Sequence, residues 1–169
     1  MKKIKLYLDA SAVGYLDEQT SPQEMRDMLT LWEEIRQDKY DVVLSEVTLN
    51  EIYANRNVEK VKILAQHLIE ISTSISYEEV IVTDEVRRIA ALIKSNGILI
   101  SDKHENDRLH IGCAVVSGCD VLVSYNFRHL VNVRTIKGVR GISNLAGYGN
   151  IDIMPASMLI EKGDESDAD

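Results

Sequence analysis

Short apolar runs alternate with helix-period segments along nearly the whole chain, and this alternation is the tightest constraint on what it can fold into. Residues 4–8 (Ile-Lys-Leu-Tyr-Leu), 42–44 (Val-Val-Leu), 121–124 (Val-Leu-Val-Ser) and 151–153 (Ile-Asp-Ile) have the length and composition of strands. Between them, Met25, Met28, Leu29, Trp32 and Ile35 follow helical spacing after Pro22, and Val58, Val61, Leu64, Ala65 and Leu68 do so again. Ser45 or Thr48 caps a helix carrying Val47, Glu51 and Ile52. Thr83 or Asp84 caps one with Val86, Ile89, Ala90 and Ile93 on one face, ended by Asn96-Gly97. Asn106 or Asp107 opens a further helix that buries Ile111, Ala114 and Val115, with Gly118 just past its end. Residues 75–82 carry only a weak extended signal, and 130–145 read as partly helical, weakened by Gly138 and Gly141. Strands joined through helices need crossovers, which favour a parallel sheet covered on both faces. The expectation is therefore an α/β fold: a three-layer α/β/α sandwich with a mostly parallel central sheet. It spans residues 1–160, and an acidic tail, 161–169, is expected to be disordered.

In such sheets the binding crevice lies beyond the C-terminal strand ends. Asp9 follows the first strand, Glu51 lies on the helix after the second, and Asn126 follows the 121–124 strand; Asp107 opens the helix leading into that strand. If Asp9, Glu51 and Asp107 converge at about 5 Å, each like-charged pair costs roughly 3 kcal/mol at an effective dielectric near 20. A hard divalent cation, Mg²⁺ or Mn²⁺, reverses that balance and polarises a phosphate oxygen or a water. The expected ligands are Asp9, Glu51 and Asp107. Asn126 stands where a further acid would serve, so it orients groups and leaves a tight second ion in doubt. Ser11 and Ser124 are expected to hold the acids, because no Ser/His/Asp arrangement is present to make either a nucleophile.

Each acid also has a blander reading as a helix cap or solvated turn, and Glu46 competes with Glu51 within its segment. His110 lies one turn after Asp107 and reads as a supporting or packing residue. A Zn²⁺ site on that pair would need further His or Cys ligands, and His67, His104 and His129 show no spacing that supplies them. Arg128 and His129 are candidate phosphate contacts, although exposed charge accounts for them almost as well.

The formal net charge of −8 argues against non-specific polyanion binding, but half of it lies in the tail, where five acids face Lys162 alone. Arg128, Arg134, Lys137 and Arg140 run the other way with no acid between them, so a basic rim beside an acidic centre is expected. No run approaches the roughly 18 apolar residues of a membrane span, and the start, Met-Lys-Lys-Ile-Lys-Leu-Tyr-Leu-Asp, reads as a first strand and not a signal peptide. Two cysteines, Cys113 and Cys119, form neither a zinc pattern nor a disulfide framework, which points to a reducing, cytoplasmic setting.

Four segments, in order and spacing together, resemble the PIN-domain family, which includes VapC-type toxins. They are Tyr-Leu-Asp9-Ala-Ser; Leu-Ser-Glu-Val-Thr-Leu-Asn-Glu51-Ile; Asn-Asp107-Arg-Leu-His-Ile-Gly-Cys-Ala; and Asp-Val-Leu-Val-Ser-Tyr-Asn126-Phe-Arg-His. The resemblance covers roughly residues 4–155. It implies a Mg²⁺- or Mn²⁺-dependent endoribonuclease cleaving RNA, a homodimer and, often, a small antitoxin partner. By position Asp9, Glu51 and Asp107 match the family's metal-binding acids, and Asn126 falls where many members have Asp. A competing reading is a PIN-like module that binds RNA or protein without cleaving. A phosphoacceptor or haloacid-dehalogenase-like site fits less well, since no second acid follows Asp9 two residues on.

Overall fold

The computed structural model describes residues 2–161, so most of the acidic tail lies outside the described residues. Five strands, β1 (Lys5–Leu8), β2 (Asp41–Ser45), β3 (Glu78–Val80), β4 (Val121–Val123) and β5 (Asp152–Met154), form one sheet in the order β3-β2-β1-β4-β5. Every pairing is parallel. Seven α-helices intervene: α1 (Ala10–Gly14), α2 (Pro22–Arg36), α3 (Glu46–Tyr53), α4 (Val58–Ser74), α5 (Asp84–Ser95), α6 (Glu105–Val116) and α7 (Val133–Leu145).

Strand side chains alternate between faces, and parallel neighbours in register share a face. Tyr7 pairs with Val43 and Leu122, and Leu122 with Ile153, so these four form one row across the sheet. All four are buried against α5, α6 and α7. Leu6, Leu8, Val42, Leu44, Val121 and Val123 point the other way, onto Met28, Leu31, Trp32 and Ile35 of α2 and Leu64, Leu68 and Ile71 of α4. Each such buried side chain contributes roughly 1.5–3 kcal/mol. The expected sandwich is therefore present, with a sheet that is parallel throughout.

Local signals explain most boundaries. Pro22 starts α2, Ser45 accepts from Thr48 N–H to cap α3, Thr83 caps α5, and Gly97 and Gly118 take left-handed φ values of 80° and 68° after α5 and α6. The start of α6 differs from expectation. A 3₁₀ turn, Asp102–His104, capped by Ser101, runs straight into α6, so Asp107 lies inside the first turn and caps nothing. α5 and α6 pack closely because position 112 is glycine: a Cβ there would sit 2.7 Å from the Val86 carbonyl oxygen. That contact fixes the helix from which Asp107, Arg108 and His110 project.

The chain begins at β1, moves outward through β2 to β3, then returns to place β4 on the other side of β1. The reversal leaves a crevice between the C-terminal ends of β1 and β4, where this architecture accommodates ligands.

Candidate functional site

Asp9 leaves β1 and turns directly into α1, so its carboxylate serves as that helix's N-cap. Oδ1 accepts from Ala12 N–H at 2.8 Å and from the Ser11 hydroxyl at 2.6 Å. Asp9 is only 3% exposed. Burial raises its carboxyl above the ordinary value, opposed by His110, by the hydroxyls of Ser11 and Ser124 and by the Ala12 amide. The net result is a buried acid whose ionised form is under-compensated by its protein neighbours.

Ser11 ties the two strand ends together. Its oxygen accepts from Tyr125 N–H at 2.9 Å and lies 3.3 Å from Ser124 Oγ. Ser124 accepts from Asn126 N–H at 3.1 Å. The Asn126 amide then works at both ends: Oδ1 accepts from His129 N–H at 3.0 Å, and Nδ2 faces Asp107 Oδ1 at 3.5 Å. A connected path of polar groups thus runs from Asp9 through Ser11, Ser124 and Asn126 to Asp107.

Glu51 joins by another route. Its Oε1 lies 2.9 Å from His110 Nε2, and His110 Nδ1 lies 2.7 Å from the buried Tyr7 hydroxyl, itself 2.6 Å from Ser45 Oγ. A carboxylate at Nε2 requires the proton there, so in the neutral ring Nδ1 accepts from Tyr7. Burial first, with Cys113 and Asp9 adding to it, holds the Tyr7 hydroxyl well above its ordinary pKa. The Glu51 side chain is 35% exposed, against 3% for that of His110. His110 thus supports Glu51 and does not share a face-to-face site with Asp107.

Among the described residues, the group of three ligand-type side chains whose donor atoms all lie within 4.8 Å is His104, Asp107 and His129. Asp9 and Asp107 are linked instead through Ser11, Ser124 and Asn126, whereas Glu51 belongs to a separate relay through His110 and Tyr7. The sequence offers no spacing by which His104 or His129 would join a Zn²⁺ site on Asp107 and His110; the fold brings both imidazoles to Asp107 without His110. His104 precedes Asp107 by one helical turn, and the Asn126 cap folds the segment after β4 so that His129 returns to the same carboxylate. The i,i+3 spacing of His104 and Asp107 is visible in the sequence; the approach of His129 depends on the sheet order.

Arg128 and His129, the expected phosphate contacts, line a cavity of about 340 Å³ with Ser101, His104, Asn132 and Arg134. One wall is held by Arg108, whose guanidinium donates to the carbonyls of Leu99 and Ser101. Leu99 there adopts φ 50°, uncommon for a bulky residue. Arg134 also donates to Gly97 O at 3.3 Å, whereas Arg140 is neutralised by Asp152. Of the expected basic rim, Arg128 and Arg134 line the cavity, and Lys137 is exposed on α7 outside that lining.

A five-stranded parallel sheet with an apolar core on each face defines a three-layer α/β/α fold. No family model matches the sequence, and no curated protein matches it significantly. Solved structures do. The chain is similar to VapBC2 from Rickettsia felis, a structure bound to a DNA fragment from its promoter, with TM-score 0.54 and 11% identity, covering 89% of this chain and 98% of that one. It is also similar to FitAcB from Neisseria gonorrhoeae, with TM-score 0.53 and 16% identity, covering 90% and 98%. Both neighbours are toxin–antitoxin complexes with PIN-domain toxins, so the likeness read from the sequence holds for the fold. No helix among the described residues is long and apolar enough to cross a membrane.

Proposed function

We propose that the chain is a divalent-metal-dependent endoribonuclease whose cleft is built on Asp9, Glu51, Asp107 and Asn126. One observation carries this reading: side chains from three separate segments meet at the β1/β4 crevice, joined by the path from Asp9 to Asp107. The oxygen donors fit Mg²⁺ or Mn²⁺, since Mg²⁺ binds through one or two carboxylates and keeps several waters, without requiring all three acids in direct contact. Asp9, Glu51 and Asp107 would hold the ion. When bound, it would supply Lewis-acid polarisation of a phosphate oxygen and a lowered pKa for water.

The remaining roles fall to the chain's own groups. Ser11 and Ser124 keep Asp9 and Asn126 in register, and His110 orients Glu51. Arg128 and His129 offer donors to phosphates that enter the adjoining cavity. The toxin–antitoxin neighbours support a toxin role with a small antitoxin partner; a homodimer is part of the reading through the sequence resemblance alone. Two buried, unpaired cysteines suit a reducing cytoplasm.

A second reading, a PIN-like module that binds RNA or protein without cleaving, is favoured by Asn126 and by the engagement of Glu51 with His110. Cleavage of single-stranded RNA with Mg²⁺ or Mn²⁺, measured beside metal titration calorimetry, separates the two. The nuclease reading expects Asp9→Asn and Asp107→Asn each to abolish cleavage while circular dichroism stays unchanged. Wild-type cleavage by either variant would remove that residue from the chemistry, and metal-dependent RNA binding without cleavage would select the module.

A further inference from the structure

The His104–Asp107–His129 cluster has a donor chemistry different from that of an all-oxygen Mg²⁺ site. His104 Nδ1 and His129 Nδ1 each lie 3.5 Å from the same atom, Asp107 Oδ2. That separation is long for a hydrogen bond, which for an N–H to oxygen contact centres on about 2.9–3.0 Å. It does match the edge of a tetrahedron around a metal held at roughly 2.0–2.2 Å, which comes to about 3.4 Å. The two rings pack edge-to-face with centroids 4.1 Å apart, and both Nδ1 atoms approach the same carboxylate oxygen.

The carboxylate is divided between two tasks. Asn126 Nδ2 faces Oδ1, leaving Oδ2 to the imidazoles. At 3.5 Å this contact is also long, and it places an amide donor behind the carboxylate, where outer partners orient metal ligands. All three side chains are partly exposed, at 20–31%, so an ion can enter without unfolding the site. His104 and His129 also line the 340 Å³ cavity with Arg128 and Arg134, which puts positive charge beside any open coordination position.

We propose that His104, Asp107 and His129 bind a borderline divalent cation of the Zn²⁺ class through two imidazoles and one carboxylate, with an open position available on the metal. Imidazole nitrogen favours Zn²⁺, Co²⁺ and Ni²⁺, whereas Mg²⁺ is bound by oxygen. This site uses Asp107 but needs neither Asp9 nor Glu51, so it stands whether or not the nuclease reading does. Sharing Asp107 also makes Zn²⁺ a competitor for any Mg²⁺ held by the acids.

The test is calorimetric titration of Zn²⁺ into the purified protein, with Co²⁺ as a visible-absorption probe of nitrogen ligation. Wild type should bind one Zn²⁺ and give Co²⁺ d–d bands that added Zn²⁺ bleaches. Asp9→Asn should retain both signals. His104→Ala and His129→Ala should each weaken Zn²⁺ binding by more than the roughly 10–100-fold that loss of an outer-shell partner costs. His104→Asn and His129→Gln, which keep polar bulk, should lose it similarly, with thermal melting as the check on folding. Wild type without Zn²⁺ binding, or either histidine pair with unchanged affinity, would overturn the site. Loss of Mg²⁺-dependent cleavage in Asp9→Asn with Zn²⁺ binding intact would leave it standing and test only the nuclease.

Discussion

The two sides of the cleft are built on opposite plans. On one side, Tyr7, Ser45, His110 and Glu51 form a buried relay in which neighbouring polar atoms approach within 2.6–2.9 Å. On the other, His104, Asp107 and His129 are partly exposed and stand at 3.5 Å, too far apart to satisfy one another well. Short, enclosed hydrogen bonds fix geometry, and within this relay only the partly exposed Glu51 side chain keeps capacity for a ligand. Wide spacing with exposed donors does the reverse. The difference separates a scaffold from a receptor within one helix, since α6 supplies Asp107 to one side and His110 to the other.

Substitution of Tyr7 should produce the largest stability effect on the buried side. Tyr7→Phe removes the hydroxyl between Ser45 and His110 and leaves both facing an apolar ring edge, which should cost about 1–3 kcal/mol in urea unfolding. Zn²⁺ affinity should be unchanged. A matching loss of Zn²⁺ binding would show that the two sides are one unit and break the distinction.

The thiols sharpen it at alkaline pH. Burial raises Cys113 from 9.0 to about 11, with Ser45 and Tyr7 partly opposing, and raises Cys119 to about 12. The folded chain therefore keeps protons that the unfolded chain loses above pH 9. Stability is unaffected below that pH and should fall as pH rises from 9 toward 11, by on the order of 1 kcal/mol per pH unit for each thiol still protonated in the fold. Replacing both cysteines with Ala should flatten the decline, measured by denaturant midpoints from pH 8 to 11. An equal slope in the double variant would assign the decline to other groups.

Asn126→Asp should have the smallest structural effect, because a carboxylate oxygen can still accept from His129 N–H. It adds charge beside Asp107 and should tighten divalent binding several-fold or admit a second ion. Unchanged affinity and stoichiometry by calorimetry would remove residue 126 from the metal's surroundings.

How much of this was legible in the sequence follows from the range of the forces involved. Caps at Ser45 and Thr83 and the turns at Gly97 and Gly118 are set by neighbours a few residues away, and they were readable. Four of the five strands were readable because apolar runs such as Val121–Val123 have few other places to go, whereas β3, Glu78–Val80, is largely exposed and left only a weak extended signal. The α6 boundary was misplaced since a 3₁₀ turn, stabilised by Ser101, occupies residues that pattern alone leaves as loop. The pairing of Glu51 with His110 and the return of His129 to Asp107 join residues 59 and 22 positions apart, and no local periodicity encodes either.

Arg108 sits between the two site residues of α6 and grips the carbonyls of Leu99 and Ser101. Neighbouring positions on an α-helix are about 100° apart, so Arg108 points away from Asp107 and His110, which lie one turn apart on nearly the same side of the helix. A turn of α6 about its own axis by one such step would disengage the histidine cluster, the cavity wall and the buried tyrosine together. One angular setting of α6 therefore satisfies the carbonyls of residues 99 and 101, the Glu51–His110–Tyr7 relay and the imidazoles around Asp107 together.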